Sequence, residues 1–276
     1  MEGFGNILIS YSYFEKAESQ FNLKFFCQKG VTESPQITFI FGINGGKCSV
    51  NIPSLPNVLV HSRENKGYDY GCHGENLAFV RKNKKEIKFD HFIFMNDGVV
   101  GPFLPSYVAG LEDLHWSFWF LNRLNHRDVK LVGTSIVCLR EKQHTGPRVE
   151  GFFFATDKEG LEILERANIF SIRHKKEDVI LQSEYMMSQV ILEAGYNLDC
   201  LLSRYQGMNW RDPKNWHHNA YQHPSRHHSN DGISIHPLEV IFHKWNWSYA
   251  PHQRVSWSET LAHVRWSLAQ NDLPCK

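Results

Sequence analysis

Apolar and polar positions alternate along this chain in blocks that predict strands and helices by turns. Asn6–Ser10 is short, apolar and β-branched, which predicts a buried strand, and Tyr13–Gly30 follows with Phe14, Ala17, Phe21, Leu23 and Phe25 at mixed helical spacing. Gln36–Gly42 (QITFIFG) predicts a second strand, closed by Asn44-Gly45-Gly46, residues that tolerate positive φ. Val58–His61 predicts a third strand, Glu75–Lys82 a helix, and Asp90–Met95 a fourth strand ending at Asn96-Asp97-Gly98. Further on, Val129–Leu139 and Gly151–Thr156 read as strands, and Asp157–Ala167 and Glu184–Gly195 as helices, the last stopped by Gly195. Asn209–Asp231 has no periodicity and predicts a long loop, while Ser256-Trp-Ser-Glu259 has the form of a capping box opening a final helix to about Gln270. Strands alternating with helices predict a mostly parallel sheet with helices on both faces.

Length makes this one α/β domain of 276 residues, with 1–125 as its nucleotide-binding part and 126–276 as its acceptor-binding part. With 42% hydrophobic and 21% charged residues the chain can bury a core. Thirty Lys and Arg against 29 Asp and Glu leave a net charge of +1, so no global field draws it to nucleic acid. The six cysteines form no C-x-x-C pair, and no stretch of 18 apolar residues occurs, so the expectation is a reducing, cytoplasmic setting without a signal peptide or a membrane span.

Ligands of open parallel sheets bind past the carboxyl ends of the strands. Two polar segments fall there: Arg63-Glu-Asn65-Lys-Gly67-Tyr-Asp69-Tyr-Gly71 after the third strand and Asn96-Asp97-Gly98 after the fourth. Taken singly, each is ordinary turn chemistry.

Their order and spacing resemble the family-two class of GT-A glycosyltransferases. Asn65, Gly67 and Gly71 match the opening of that class's N-x-G-x-x-x-A-x-N segment, and Phe92–Gly98 stands where an apolar strand runs into an acidic D-x-D-like triplet. Glu184 lies eleven residues before Gly195-Tyr196, the distance at which the class places an acid that opens a helix. The stretch Asn96–Pro105 is also similar to transferases of bacterial and large-virus surface glycans. The resemblance covers about half of the chain, from Arg63 to Tyr196.

The resemblance implies a GT-A fold and transfer of a sugar from a nucleotide-sugar donor, a UDP-sugar by preference, to a saccharide acceptor with inversion. Donor-binding residues would be Tyr11, Asn44, Arg63, Asn65, Gly67, Asp69, Asn96 and Asp97. The catalytic base would be Glu184, with Asp178 and Glu150 as substitutes. A divalent metal, Mn2+ or Mg2+, would bind Asp97 and His236, although the triplet has become Asn-Asp-Gly and a hard cation wants several oxygens. His217, His218, His223, His227 and His228 fit no zinc spacing and read as an acceptor-side loop. Trp116, Trp119, Trp210, Trp216, Trp245 and Trp247 could stack on sugar rings, but most read as packing. A nucleotidyltransferase would need a basic glycine-rich first loop, which Ile9–Glu15 lacks, and a glycan-binding module of the same fold would not bind UDP.

Overall fold

A computed structural model describes residues 4–108, 114–126, 128–141, 144–217, 223–225, 234–244, 262 and 264–268. Along the chain run β1 (Ile7–Phe14), α1 (Ala17–Lys29), β2 (Ile37–Asn44), β3 (Val58–Arg63), α2 (Tyr68–Asn83), β4 (His91–Asn96), α3 (Phe118–Leu124), β5 (Val129–Gly133), β6 (Ile136–Glu141), β7 (His144–Val149) and β8 (Phe153–Asp157). After α4 (Lys158–Arg166), α5 (Lys176–Val179) passes through a π-helical turn (Ile180–Tyr185) into α6 (Met186–Glu193), followed by β9 (Asn197–Cys200) and α7 (Pro237–Val240).

Seven strands form one sheet in the order β3-β2-β1-β4-β8-β5-β9, and β6 and β7 form a separate hairpin. The first four strands in the chain are mutually parallel, β8 runs antiparallel to both β4 and β5, and β9 is parallel to β5. The architecture is therefore α/β with a mostly parallel central sheet flanked by helices, compatible with a Rossmann-like arrangement.

Both faces of the sheet are covered, and the period-two alternation of the strands shows it. Ile7, Ile9, Tyr11 and Tyr13 of β1 join Phe39, Phe41, Ile93 and Met95 in one apolar cluster with α1 and α3. Leu8, Ile40, Phe92 and Phe94 face the opposite cluster with α2, α4 and α6. Trp116 and Phe120 pack on Phe153 and Phe242 in the first cluster, and the Trp116 indole N–H donates to the Gly30 carbonyl at 2.8 Å. Trp210 is fully buried in the second. Trp116 and Trp210 are thus core residues, whereas Trp245 and Trp247 lie outside the described residues.

The sheet corrects several boundaries. Tyr13 and Phe14 belong to β1, because parallel pairing with β2 continues to Phe14↔Asn44, and the helix starts at Ala17. Helix α2 starts at Tyr68 instead of Glu75, directly after Gly67, whose φ of 73° is easy only for glycine. The strand expected over 129–139 breaks at Thr134-Ser135 into β5 and β6, while β7 and β9 were not foreseen. Asp157 caps α4 by accepting from the Gly160 N–H at 2.8 Å. Glu184 is not at a helix start: the helix begins eight residues earlier at Lys176, and Glu184 lies within the π turn. Of the last expected helix, residues 264–268 are helical and most others lie outside the described residues.

Gly42 fixes how closely α2 approaches the sheet. A Cβ there would stand 2.3 Å from Cys72 Sγ and 2.7 Å from Asn76 Oδ1, both buried under the strand. Gly42→Ala is expected to destabilise the protein by about 1–3 kcal/mol, as overpacking of a closed core does. A denaturant midpoint equal to wild type would show that α2 shifts outward without cost.

Candidate functional site

The sheet reverses its winding between β1 and β4, since β2 and β3 build outward on one side of β1 and β4 on the other. Such a switch point leaves a crevice at the carboxyl edge where no crossover covers it. A cavity of about 400 Å³ opens there, lined by Ser12, Phe14 and Lys16 after β1, Asn44 after β2, and Asn65, Tyr68 and Asp69 around the start of α2. Asn96 and Asp97 after β4, Gly151 and Phe152 before β8, Lys176, Val179, Ile180 and Glu184 of the interrupted helix, and Lys244 complete it.

Backbone hydrogen bonds hold the strand tips in place. Asp97 N–H donates to Ser12 O at 3.0 Å and Asn96 N–H to Phe152 O at 3.1 Å, joining β1, β4 and β8. The Asp97 carboxylate accepts from Phe14 N–H at 2.6 Å, and Asn22 Nδ2 donates to the Asp97 carbonyl at 2.8 Å. Asn96 Nδ2 donates to Asp69 Oδ2 at 2.8 Å while its Oδ1 accepts from Gly98 N–H at 3.0 Å. The Asn of the altered triplet therefore ties the β4 tip to the first turn of α2.

Two carboxyl groups of the cavity are strongly perturbed. Burial, with the nearby Asp69 charge, pushes Glu184 up to about 7 against the opposing pull of Lys244. Burial likewise pushes Asp97 up to about 6, against its hydrogen bonds from Phe14 and Ser19 and the charge of Lys16. The neighbouring Gly151 backbone also pulls Glu184 downward. A side chain at 151 would strike the Tyr70 hydroxyl at 2.4 Å and Glu184 Cγ at 3.2 Å, so glycine is what lets the carboxyl lie against this strand. The π turn puts Glu184 on the cavity face with Val179 and Ile180, while neighbouring Ser183 turns inward and donates to Ile169 O at 2.7 Å.

Of the residues expected from the sequence, Asn44, Asn65, Asp69, Asn96, Asp97 and Glu184 meet in this cavity. Arg63 does not line it: its guanidinium is buried, paired with Glu75 at 2.6 Å, bonded to Lys66 O at 2.8 Å, and bonded to Asn44 Oδ1. Tyr11 is buried and stacked on Phe26 at 5.2 Å, facing the core. Gly67 packs on Ile172 as the residue preceding α2. Glu150 is buried beside the site, where Ser135 and Ser225 donate to it and His223 lies 3.5 Å away; burial raises it, but these partners bring it net below the usual range. Asp178 is half-buried on α5 and is not among the lining residues.

Metal ligation was expected of Asp97 and His236. His236 is not among the lining residues, and its Nδ1 accepts from Leu238 N–H at 3.3 Å at the start of α7. Among the described residues no three His, Cys, Asp or Glu groups come together as a set able to hold a metal ion. Asp97 has one oxygen on a backbone N–H, and Asp69 is bonded through both oxygens to Tyr70 N–H and Asn96. The described residues do not fit the metal that the resemblance implies.

Sequence reasoning missed Lys16, Lys176 and Lys244. Lys176 lies eight residues before Glu184, about 80° past two regular turns and upstream of the helix expected from Glu184, so its place in the cavity depends on the π turn and was not legible. Lys244 gave no signal, since it is placed by a bridge in which Val100 and His243 exchange backbone hydrogen bonds of 3.0 and 2.9 Å. The comparisons add no identity: no protein-family model matches the chain, and no curated protein matches it.

Arg63→Ala is expected to lower stability by about 3 kcal/mol, because breaking a buried ion pair leaves polar groups unmatched. Chemical denaturation measures this, and an unchanged midpoint would return Arg63 to a ligand-facing role. Because the Glu184 carboxyl is raised when folded, its protonated form favours folding; that stabilisation is complete below its ordinary value near 4.5 and is lost as pH rises through about 7. The Glu184→Gln variant should therefore gain stability relative to wild type across that window, with a constant difference above it. Parallel stability curves from pH 4 to 8 would refute the raised carboxyl.

Proposed function

We propose that the chain is a GT-A-type glycosyltransferase that moves a sugar from a nucleoside diphosphate donor to a saccharide hydroxyl with inversion. The observation that carries this reading is Glu184: a carboxyl raised to about 7, in a polar cavity at the switch point of the sheet, opposite the tips of β1 and β4. A general base works best with a pKa near the operating pH, and an ordinary glutamate at 4.5 would be a weaker proton acceptor. Motif order agrees, because Asn65, Asp69, Asn96, Asp97 and Glu184, remote in sequence, line one cavity.

In this reading Asn65 and Asp69 hold the nucleoside, flanked by the exposed rings of Phe14 and Tyr68. Glu184 takes the proton of the acceptor hydroxyl as its oxygen forms a bond to the anomeric carbon. The bond from that carbon to the diphosphate oxygen breaks, and the nucleoside diphosphate leaves with the electron pair. Attack and departure on opposite faces invert the anomeric centre. Asp97 orders the site through Phe14 and Ser12, linking the β1 and β4 tips.

A screen of sugar nucleotides for turnover identifies the donor. Glu184→Gln should then lower kcat by about 10²- to 10⁴-fold, the usual contribution of a general base, with the donor's dissociation constant little changed. In wild type kcat should rise with pH through about 7, the ionisation of Glu184, and this limb should vanish in the variant. Near-native turnover in the variant, or a product that keeps the donor's anomeric configuration, would overturn the assignment.

A further inference from the structure

The cavity that should hold a diphosphate lacks a cation-binding set among the described residues, yet it is not short of positive charge. Lys16, Lys176 and Lys244 line it together. They come from three separate elements: Lys16 from the connection between β1 and α1, Lys176 from the start of the interrupted helix, and Lys244 from the strand-like segment bridged to Val100. We infer that these three lysines bind the donor's diphosphate and neutralise the departing nucleoside diphosphate, so that transfer proceeds without a divalent metal.

Ring contacts of two of the three lysines support this assignment. Lys16 stands over the Phe14 ring, with Nζ 5.4 Å from its centroid, and Lys244 over the Phe152 ring at 5.1 Å. Both rings line the cavity, so these two ammonium groups stand along its wall, while Lys176 lines it from the exposed start of α5. The Val100–His243 bridge fixes the backbone immediately before Lys244. The changed triplet points the same way. Where a metal site would set two acids toward the cation, Asn96 is turned to Asp69, and Asp97 accepts from the Phe14 backbone.

Charge balance favours the same arrangement. A metal-dependent site needs carboxylates to hold the cation, and each adds repulsion toward phosphate. Here Asn96 bears no charge and burial disfavours the ionised form of Asp97, which leaves Asp69 and Glu184 as the other carboxyl groups against three lysines. Three ammonium groups can then face an anion directly, and lysines bind phosphate as point charges without a fixed coordination geometry. The leaving diphosphate develops its charge beside them as the glycosidic bond breaks, which is where preorganised positive charge lowers the barrier.

The inference rests on the glycosyl-transfer reading of the same cavity, and calorimetry with two ligands separates the two. Inorganic pyrophosphate and UDP should bind the full-length protein in EDTA, with affinities within about twofold of those in Mn2+. Lys176→Ala and Lys244→Ala should each weaken both ligands by about tenfold, the usual scale for a lost hydrogen bond to a charged group. Lys176→Arg and Lys244→Arg should recover most of the loss, and unchanged far-ultraviolet dichroism guards against unfolding. Pyrophosphate binding in EDTA that falls in the variants, with no sugar nucleotide turned over, would keep the lysine site and discard the transferase. Turnover or binding that appears only with Mn2+ would keep the transferase and overturn the lysine site. Lysine variants that bind like wild type, or a protein that binds neither ligand under any condition, would likewise overturn it.

Discussion

A guanidinium taken out of water must have its donors matched, and Arg63 meets that demand in a way that shapes the whole carboxyl edge of the sheet. Its side chain is only 2% exposed. Nε pairs with Glu75 of α2, one terminal nitrogen donates to Lys66 O in the turn before α2, and the other to Asn44 Oδ1 at the tip of β2. Asn44 in turn donates to Ser12 Oγ at 3.2 Å and to Tyr13 O at 2.9 Å, which extends the bonding to β1. Holding Lys66 O sets the turn that leads through Gly67 into Tyr68 and Asp69, and Asp69 then receives Asn96 from β4. Four strand tips and the first turn of α2 are thus linked through polar side chains, and the cavity is the space that this network encloses.

The same facts show what could be read from the chain and what could not. The four parallel strands were legible: Ile7–Ile9, Ile37–Phe41 and Phe92–Met95 are buried runs bounded by turn residues, and Val58–Val60 is a short apolar run at the sheet edge. The reversed direction of β8 was not, since a strand buried on both faces carries no mark of its direction. Motif order brought Asn65, Asp69, Asn96, Asp97 and Glu184 into one cavity, yet it misread Arg63, whose polarity looks the same in sequence whether it meets a ligand or a buried carboxylate. Glu150 was misread for a similar reason: its partners Ser135, His223 and Ser225 lie 15, 73 and 75 residues away, beyond any local pattern. The three lysines escaped notice because cations dispersed over more than two hundred residues form no run.

Electrostatically the cavity is a compromise between burial and charge. Asp69, Asp97 and Glu184 would repel one another if all were ionised in a small space, and the outcome is that burial and this repulsion hold Glu184 in a half-protonated range near neutrality. Lys244 draws it downward and Asp69 upward, so its proton affinity reports the occupancy and charge of its surroundings. An anion arriving beside Lys244 would reduce the opposing pull and raise Glu184 further, coupling ligand charge to the proton that the carboxyl carries.

The π turn at Ile180–Tyr185 has a consequence for how this helix can change over time. A π turn accommodates one residue more than an α-helical turn, and each residue of an α-helix advances the face by about 100°. Removing a single residue from Ile180–Gln182 would let the segment relax to regular α-helix and leave Lys176 and Glu184 seven residues apart, within about 20° of two full turns, so the two groups would still share a face. Point substitutions in the turn leave that phase intact. The helix is therefore tolerant of changes in composition and of losing its one extra residue, whereas any further change in length would turn the cation about 100° away from the base.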